Sequence, residues 1–124
     1  MSDAGLAYFK GCDDLRNLGL YNTKVTDAGL AYFKDCKELG GLQLSGTNVT
    51  DAGLAHLKEC KNLRYIDLGK TKVTDAGLAL FAELEGLTAL DLRGTQVTEK
   101  GVAGLAKALP KCKIEWDGGA IEPK

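Results

Sequence analysis

The sequence offers few of the groups on which enzymes run. Its 124 residues include one histidine, His56, and two serines, Ser2 and Ser45. Neither serine has a histidine and a carboxylate placed to activate it, so catalysis has no evident residues to use. Net charge is nearly absent: 27% of the residues are charged, yet they sum to −1. Lysines interleave with acids instead of gathering into the basic stripe of a nucleic-acid binder, which excludes that class of partner. No apolar run approaches the roughly 20 residues that cross a bilayer, so no membrane partner is expected. The opening Met1-Ser2-Asp3-Ala4 leads into the body of the chain without a leader, and the expected location is cytoplasmic. The length allows one domain over residues 1–124.

Four cysteines in so short a chain raise the question of a disulfide framework or a metal site. Three of them, Cys12, Cys36 and Cys60, lie 24 residues apart. A spacing equal to an internal period marks one structural slot filled three times. Zinc needs four ligands converging tetrahedrally, which a column of thiols with a lone histidine elsewhere does not supply. Disulfides between stacked identical positions would need a torsion such positions rarely present. Buried thiols are therefore expected, and Leu84 in the same slot of the fourth unit argues for a packing role. Cys112, beside the last strand, is the thiol expected to stay reduced least readily. Neither a metal nor a cofactor is expected.

What the chain does have is a repeat. From Val25 it reads VTDAGLAYFKDCKELGGLQLSGTN and restarts at Val49, Val73 and Val97, with Met1 in the valine slot of an earlier copy. The units from Val25 and Val49 agree at 13 of 24 positions. Within each unit runs L-x-x-L-x-L-x-x-T-x-V: Leu15, Leu18, Leu20, Thr23, Val25, then Leu39 to Val49, Leu63 to Val73 and Leu87 to Val97. The L-x-L step has period two and reads as a short strand with one buried face. Strands are expected near 17–21, 41–45, 65–69, 89–93 and 113–116. The other half of the unit has helical spacing, as in Leu30 with Phe33, and helices are expected near 3–12, 27–36, 51–60, 75–84 and 99–108. Thr26, Thr50, Thr74 and Thr98 precede an acid and stand as N-caps, with the acids complementing the helix dipole. Gly29, Gly53, Gly77 and Gly101 cost each helix about 1 kcal/mol of propensity. Close approach of the neighbouring coil's backbone is the expected compensation.

The segment L-x-x-L-x-L-x-x-T-x-V-T-D-A-G-L, read from Leu15 and three times more, resembles the leucine-rich repeat family. The 24-residue, cysteine-containing, ribonuclease-inhibitor-like variety is the nearest in pattern. It is similar to the repeats of F-box proteins and closer to certain bacterial arrays, in which threonine replaces the usual Asn or Cys. The resemblance covers about residues 1–116. It implies an α/β fold: a curved, right-handed solenoid of about five repeats, starting near 1, 25, 49, 73 and 97. A parallel sheet would line the concave face and helices the convex one, because strands stack at about 4.8 Å and helices at about 10 Å. Residues 109–124 would form a C-terminal cap and polar tail, with Trp116 closing the core. The N-terminus shows no comparable cap, which suggests a fragment of a longer array or an end that meets another chain.

Such a scaffold implies a non-catalytic module that binds a protein or peptide. Three columns point outward from the strands: Asn17, Gly41, Tyr65, Ala89, Lys113; Gly19, Gln43, Asp67, Asp91, Glu115; and Tyr21, Ser45, Gly69, Arg93, Asp117. Tyr21, Gln43, Tyr65, Asp67, Asp91, Arg93, Lys113 and Glu115 are the candidate contact residues, suited to a partner of some basic character. The plain alternative is a solvated, inert face. A different reading is self-association through the first coil, a homodimer in which Leu6, Phe9, Leu15, Leu18 and Leu20 offer partly exposed apolar edges. An engineered array without a partner is the third. The threonines Thr23, Thr47, Thr71 and Thr95 are expected to point inward, bond to loop backbone and tie coil to coil. Gly69-Lys70-Thr71 echoes the end of a phosphate-binding loop, but Arg64 occupies the place of its first glycine.

Overall fold

The computed structural model describes residues 2–10 and 14–124. Among these residues six strands form one sheet in chain order: β1 Asn17–Gly19, β2 Gly41–Gln43, β3 Tyr65–Asp67, β4 Ala89–Asp91, β5 Lys113–Trp116 and β6 Gly119–Ile121. The first five are parallel and in register at a step of 24 residues, so that Leu18, Leu42, Ile66, Leu90 and Ile114 align. β6 is different. It folds back on β5 antiparallel, with Trp116 opposite Gly119, where the sequence reading expected a polar tail. A Cβ on Gly118 would crowd the Trp116 indole, so only a glycine lets the chain reverse this tightly over the ring.

The helices are α1 Asp3–Leu6, α2 Asp27–Leu30, α3 Asp51–Leu54, α4 Asp75–Phe81 and α5 Glu99–Ala108. Short 3-10 turns at Ala7–Phe9, Ala31–Phe33 and Ala55–Leu57 continue the first three. Helices of ten residues were expected in every coil. Only α5 reaches that length. In the first three coils one α turn tightens into a narrower 3-10 turn, and α4 stops at seven residues.

The core lies between sheet and helices and is built from the repeat slots. Leu42 and Ile66 from the strands, Leu30 and Leu54 from the helices, and Val49 and Val73 from the turns are all essentially inaccessible to solvent. Cys36, Cys60 and Leu84 share one buried slot, as the period implies, while Cys12 lies outside the described residues. The Cys60 thiol donates to the Phe33 carbonyl at 3.3 Å, and burial pushes its pKa up to about 11. Cys112 corrects the expectation of ready oxidation: it is 1% exposed, and burial raises its thiol to about 11 as well.

Two side-chain systems organise the coils, and each departs from its sequence reading. The threonine hydroxyls do point inward, but each donates to a carbonyl of its own coil: Thr23 to Leu20, Thr47 to Leu44, Thr71 to Leu68 and Thr95 to Leu92, at 2.6–2.7 Å. They close the turn after the strand and do not tie one coil to the next. That turn requires a left-handed residue in each coil, Asn22, Gly46, Lys70 and Gly94, with φ between 56° and 77°.

The coil-to-coil tie is made by the acids. Asp3 accepts from the Thr26 amide and hydroxyl, and Asp27, Asp51 and Asp75 do the same for Thr50, Thr74 and Thr98. Each of these threonine oxygens also caps its helix by accepting from an N–H of the first turn, so one hydroxyl serves both bonds. This explains the four glycines. A Cβ on Gly29, Gly53, Gly77 or Gly101 would overlap the carboxylate of the preceding coil's aspartate. The compensation for glycine is therefore a carboxylate, not the close backbone that the sequence suggested.

Candidate functional site

The strands place the expected columns on the open face of the sheet. Asn17, Gly41, Tyr65, Ala89 and Lys113 align across it, as do Gly19, Gln43, Asp67, Asp91 and Glu115. Tyr21, Gln43 and Arg93 are exposed; Tyr65, Asp67, Asp91, Lys113 and Glu115 are half-buried. Glycines at 19, 41 and 69 leave hollows between the larger side chains. One, of about 230 Å³, is lined by Asn17, Gly19, Gly41, Gln43 and Tyr65. Another, of about 340 Å³, has Gly69 at its floor with Ser45, Asp67 and Arg93 around it.

The charges at the C-terminal end of this face engage one another. Arg93 grips Asp91 through two nitrogens, Nε to Oδ1 at 3.0 Å and Nη2 to Oδ2 at 2.6 Å. Its other nitrogen lies 3.7 Å from Glu115, which in turn faces Lys113 at 3.8 Å, and Lys113 also reaches Glu122. Hydrogen bonding to Arg93 holds the Asp91 carboxyl below its ordinary value. Asp67 is outside this network. One of its oxygens accepts from the Gly69 amide at 2.9 Å. Burial raises the pKa of the neighbouring Tyr65 phenol, and the charges of Asp67 and Asp91 add to the effect. The Arg93 charge works in the opposite direction. Asp91 and Glu115 are already answered by this chain's own cations.

The first coil agrees less well with its expected role. Leu6 and Leu20 are 0% and 2% exposed, so neither offers an apolar edge. Phe9, Leu15 and Leu18 are half-buried against the core, and Phe9 packs on Phe33 with ring centres 6.2 Å apart. The large apolar side chain most open to solvent there is Tyr8, 88% exposed, which the sequence reading did not single out.

Other features also escaped that reading. Arg16, Arg64 and Asn62 border a hollow of about 430 Å³ at the N-terminal rim of the sheet. Their signal was present in the register, since Arg16 and Arg64 fall in one column with Gly40 between them. A second hollow, of about 440 Å³ between α4 and α5, opens where Gly104 carries no side chain. Among the described residues no three His, Cys, Asp or Glu side chains gather as metal ligands would. No described helix is long and apolar enough to cross a membrane.

A sequence profile described as Leucine Rich repeat matches residues 59–82 and 87–106, the stretches that build the third to fifth coils. The fold is that of a leucine-rich repeat solenoid. Solved structures with the same fold include internalin C2 of Listeria monocytogenes, at 23% identity and a TM-score of 0.73, over 87% of this chain and 44% of that one. A leucine-rich repeat protein of Leptospira interrogans is 25% identical with a TM-score of 0.65, over 82% of this chain and 25% of that one. The actin-binding site 2 of leiomodin-1 is 17% identical with a TM-score of 0.66, over 90% and 77%. The chain thus spans less than half the length of the two bacterial structures. No curated protein matches the sequence. Leucine-rich repeats, like other solenoids, present extended surfaces used for protein interaction.

Proposed function

We propose that residues 1–124 act as one non-catalytic interaction module whose open sheet face takes a protein or peptide, with Tyr65 and Asp67 at the centre. The observation that carries this reading is the setting of Tyr65. A half-buried aromatic ring stands between glycine-floored hollows, where a partner's main chain can come close to the sheet. Rigid aromatic rings of this kind are common interface anchors. Asp67, two residues along the same strand and on the same face, keeps a carboxylate outside the network of Asp91, Arg93, Glu115 and Lys113 and suits a basic group of the partner. Tyr21 and Gln43 extend the face toward the first coil.

Selection of peptides from a random display library on the immobilised chain tests this. Peptides that bind the native chain are expected to lose at least about tenfold in affinity on Tyr65→Ala, the loss of one anchor of about 1.4 kcal/mol. Asp67→Asn should weaken the basic members of the set. Selected peptides that bind Tyr65→Ala and Asp67→Asn as tightly as the native chain would place the contact elsewhere.

A second reading is self-association through the first coil, favoured by the half-buried Phe9, Leu15 and Leu18 beside β1, the edge strand of the sheet. Light scattering over a concentration series tests it. A dimer abolished by Tyr8→Glu would support it, and a monomer at the highest concentration would remove it.

A further inference from the structure

The hollow at the N-terminal rim of the sheet is built from donors. Arg16, Gly40 and Arg64 occupy the same slot of three successive coils. The Arg16 carbonyl accepts from the Gly40 amide at 2.7 Å, and the Gly40 carbonyl accepts from the Arg64 amide at 2.8 Å. With strands about 4.8 Å apart, the two arginines flank the glycine at about 10 Å from one another. Gly40 has no side chain to fill the space between them, and a volume of about 430 Å³ opens there. Neither guanidinium forms an ion pair with any described residue. Asn17 and Tyr65 add an amide and a phenol at the margin, and the Asn62 side chain is held in place by donating to the Lys37 carbonyl at 2.7 Å. The one acid at the edge is Glu38, and it is exposed.

We infer that this hollow binds a carboxylate side chain of a peptide lying on the sheet, bridged between Arg16 and Arg64. A guanidinium presents a planar fork of donors that matches a carboxylate, and two such forks lining one notch favour an anion over any neutral group. The inference rests on the reading that the sheet face takes a peptide or protein, and it adds a specific acidic contact. The partner it describes carries an acid over the first three coils and crosses Tyr65 toward Asp67. Tyr65 lines both this hollow and the one floored by Gly19 and Gly41, so one extended segment can fill both.

The test is a nuclear magnetic resonance titration of the whole chain, observing the arginine Nε–Hε signals. The probes are acetyl-Gly-Glu-Gly-amide, its glutamine counterpart and inorganic phosphate. The glutamate peptide is expected to shift the Arg16 and Arg64 signals saturably, and the glutamine peptide to leave them in place. Arg16→Gln combined with Arg64→Gln should weaken binding at least about fivefold, the loss of two charge-assisted contacts at an exposed site. Glu38→Gln should tighten it by removing the opposing charge. Both arginines are exposed, and the variants should keep the native circular dichroism spectrum.

Equal shifts from the glutamate and glutamine peptides would overturn the inference, as would a double variant that titrates like the native chain. Phosphate acting at lower concentration than the glutamate peptide would overturn it in favour of a free-phosphate site. Selected peptides that lose affinity on Tyr65→Ala but not on the arginine double variant would sink this inference alone and leave the sheet-face reading standing.

Discussion

Replacing Gly101 by alanine separates two opposed effects in the coil-to-coil tie. Gly101 lies in the first turn of α5, where alanine is the better helix former by up to about 1 kcal/mol. On local propensity the change should stabilise. The structure says otherwise, because every close neighbour of a Cβ built there is an atom of the Asp75 carboxylate. That carboxylate accepts from the Thr98 amide at 2.8 Å and the Thr98 hydroxyl at 2.5 Å. Admitting the methyl group turns it away from both donors. Hydrogen bonds to a charged acceptor contribute about 1.5–3 kcal/mol each when buried; this rung is exposed, which brings the pair to about 2 kcal/mol together. Gly101→Ala is therefore expected to destabilise by about 1 kcal/mol, the lost bonds less the gain in propensity.

The same change made on Asp75→Ala should stabilise by up to about 1 kcal/mol, since the obstacle has gone. The two substitutions then couple by about 2 kcal/mol. Urea unfolding followed by circular dichroism and by the fluorescence of Trp116, the single tryptophan, measures all four corners of the cycle. A stabilising Gly101→Ala in the native background would refute the reasoning. Substitutions that add to within about 0.5 kcal/mol would do the same.

Three further expectations use the same assays. Thr71→Val removes the hydroxyl bond to the Leu68 carbonyl inside a buried turn and should cost about 1 kcal/mol, read as a lower urea midpoint. Lys70→Gly should stabilise by about 1 kcal/mol, because Lys70 holds a left-handed φ of 56° that glycine adopts without strain; a lower midpoint would contradict this. Cys60 and Cys112, with thiols raised to about 11, should be about one part in a thousand thiolate at pH 8. They should resist iodoacetamide in native buffer and react fully in urea, as seen by mass. The stability these two thiols contribute is whole below the unfolded thiol's pKa, near 8.5, and is lost as pH rises from there toward 11.

The repeat made much of this molecule readable in one dimension. Each coil touches chiefly its neighbours, so a period of 24 with an L-x-L step identifies the strands, their parallel register and the residues on each face. Leu42 and Ile66 point inward while Gln43 and Asp67 point outward because side chains alternate along a strand. The threonine caps and the cysteine slot were legible for the same reason, being local to one coil or repeated at one position.

The remainder depends on how far one coil lies from the next, which no single coil encodes. Whether Asp51 serves its own helix or reaches Thr74 is decided by the rise of the stack, and only there does Gly77 find its reason. The burial of Leu6 and Leu20 follows from the coils placed over them. Arg93 comes within 3.7 Å of Glu115 because stacking brings the next coil's strand to the same rim. The reversal into β6 and the donor-lined hollow over Gly40 follow likewise from three-dimensional neighbours: an indole that admits only glycine beside it, and two arginines brought together by stacking although 48 positions separate them along the chain.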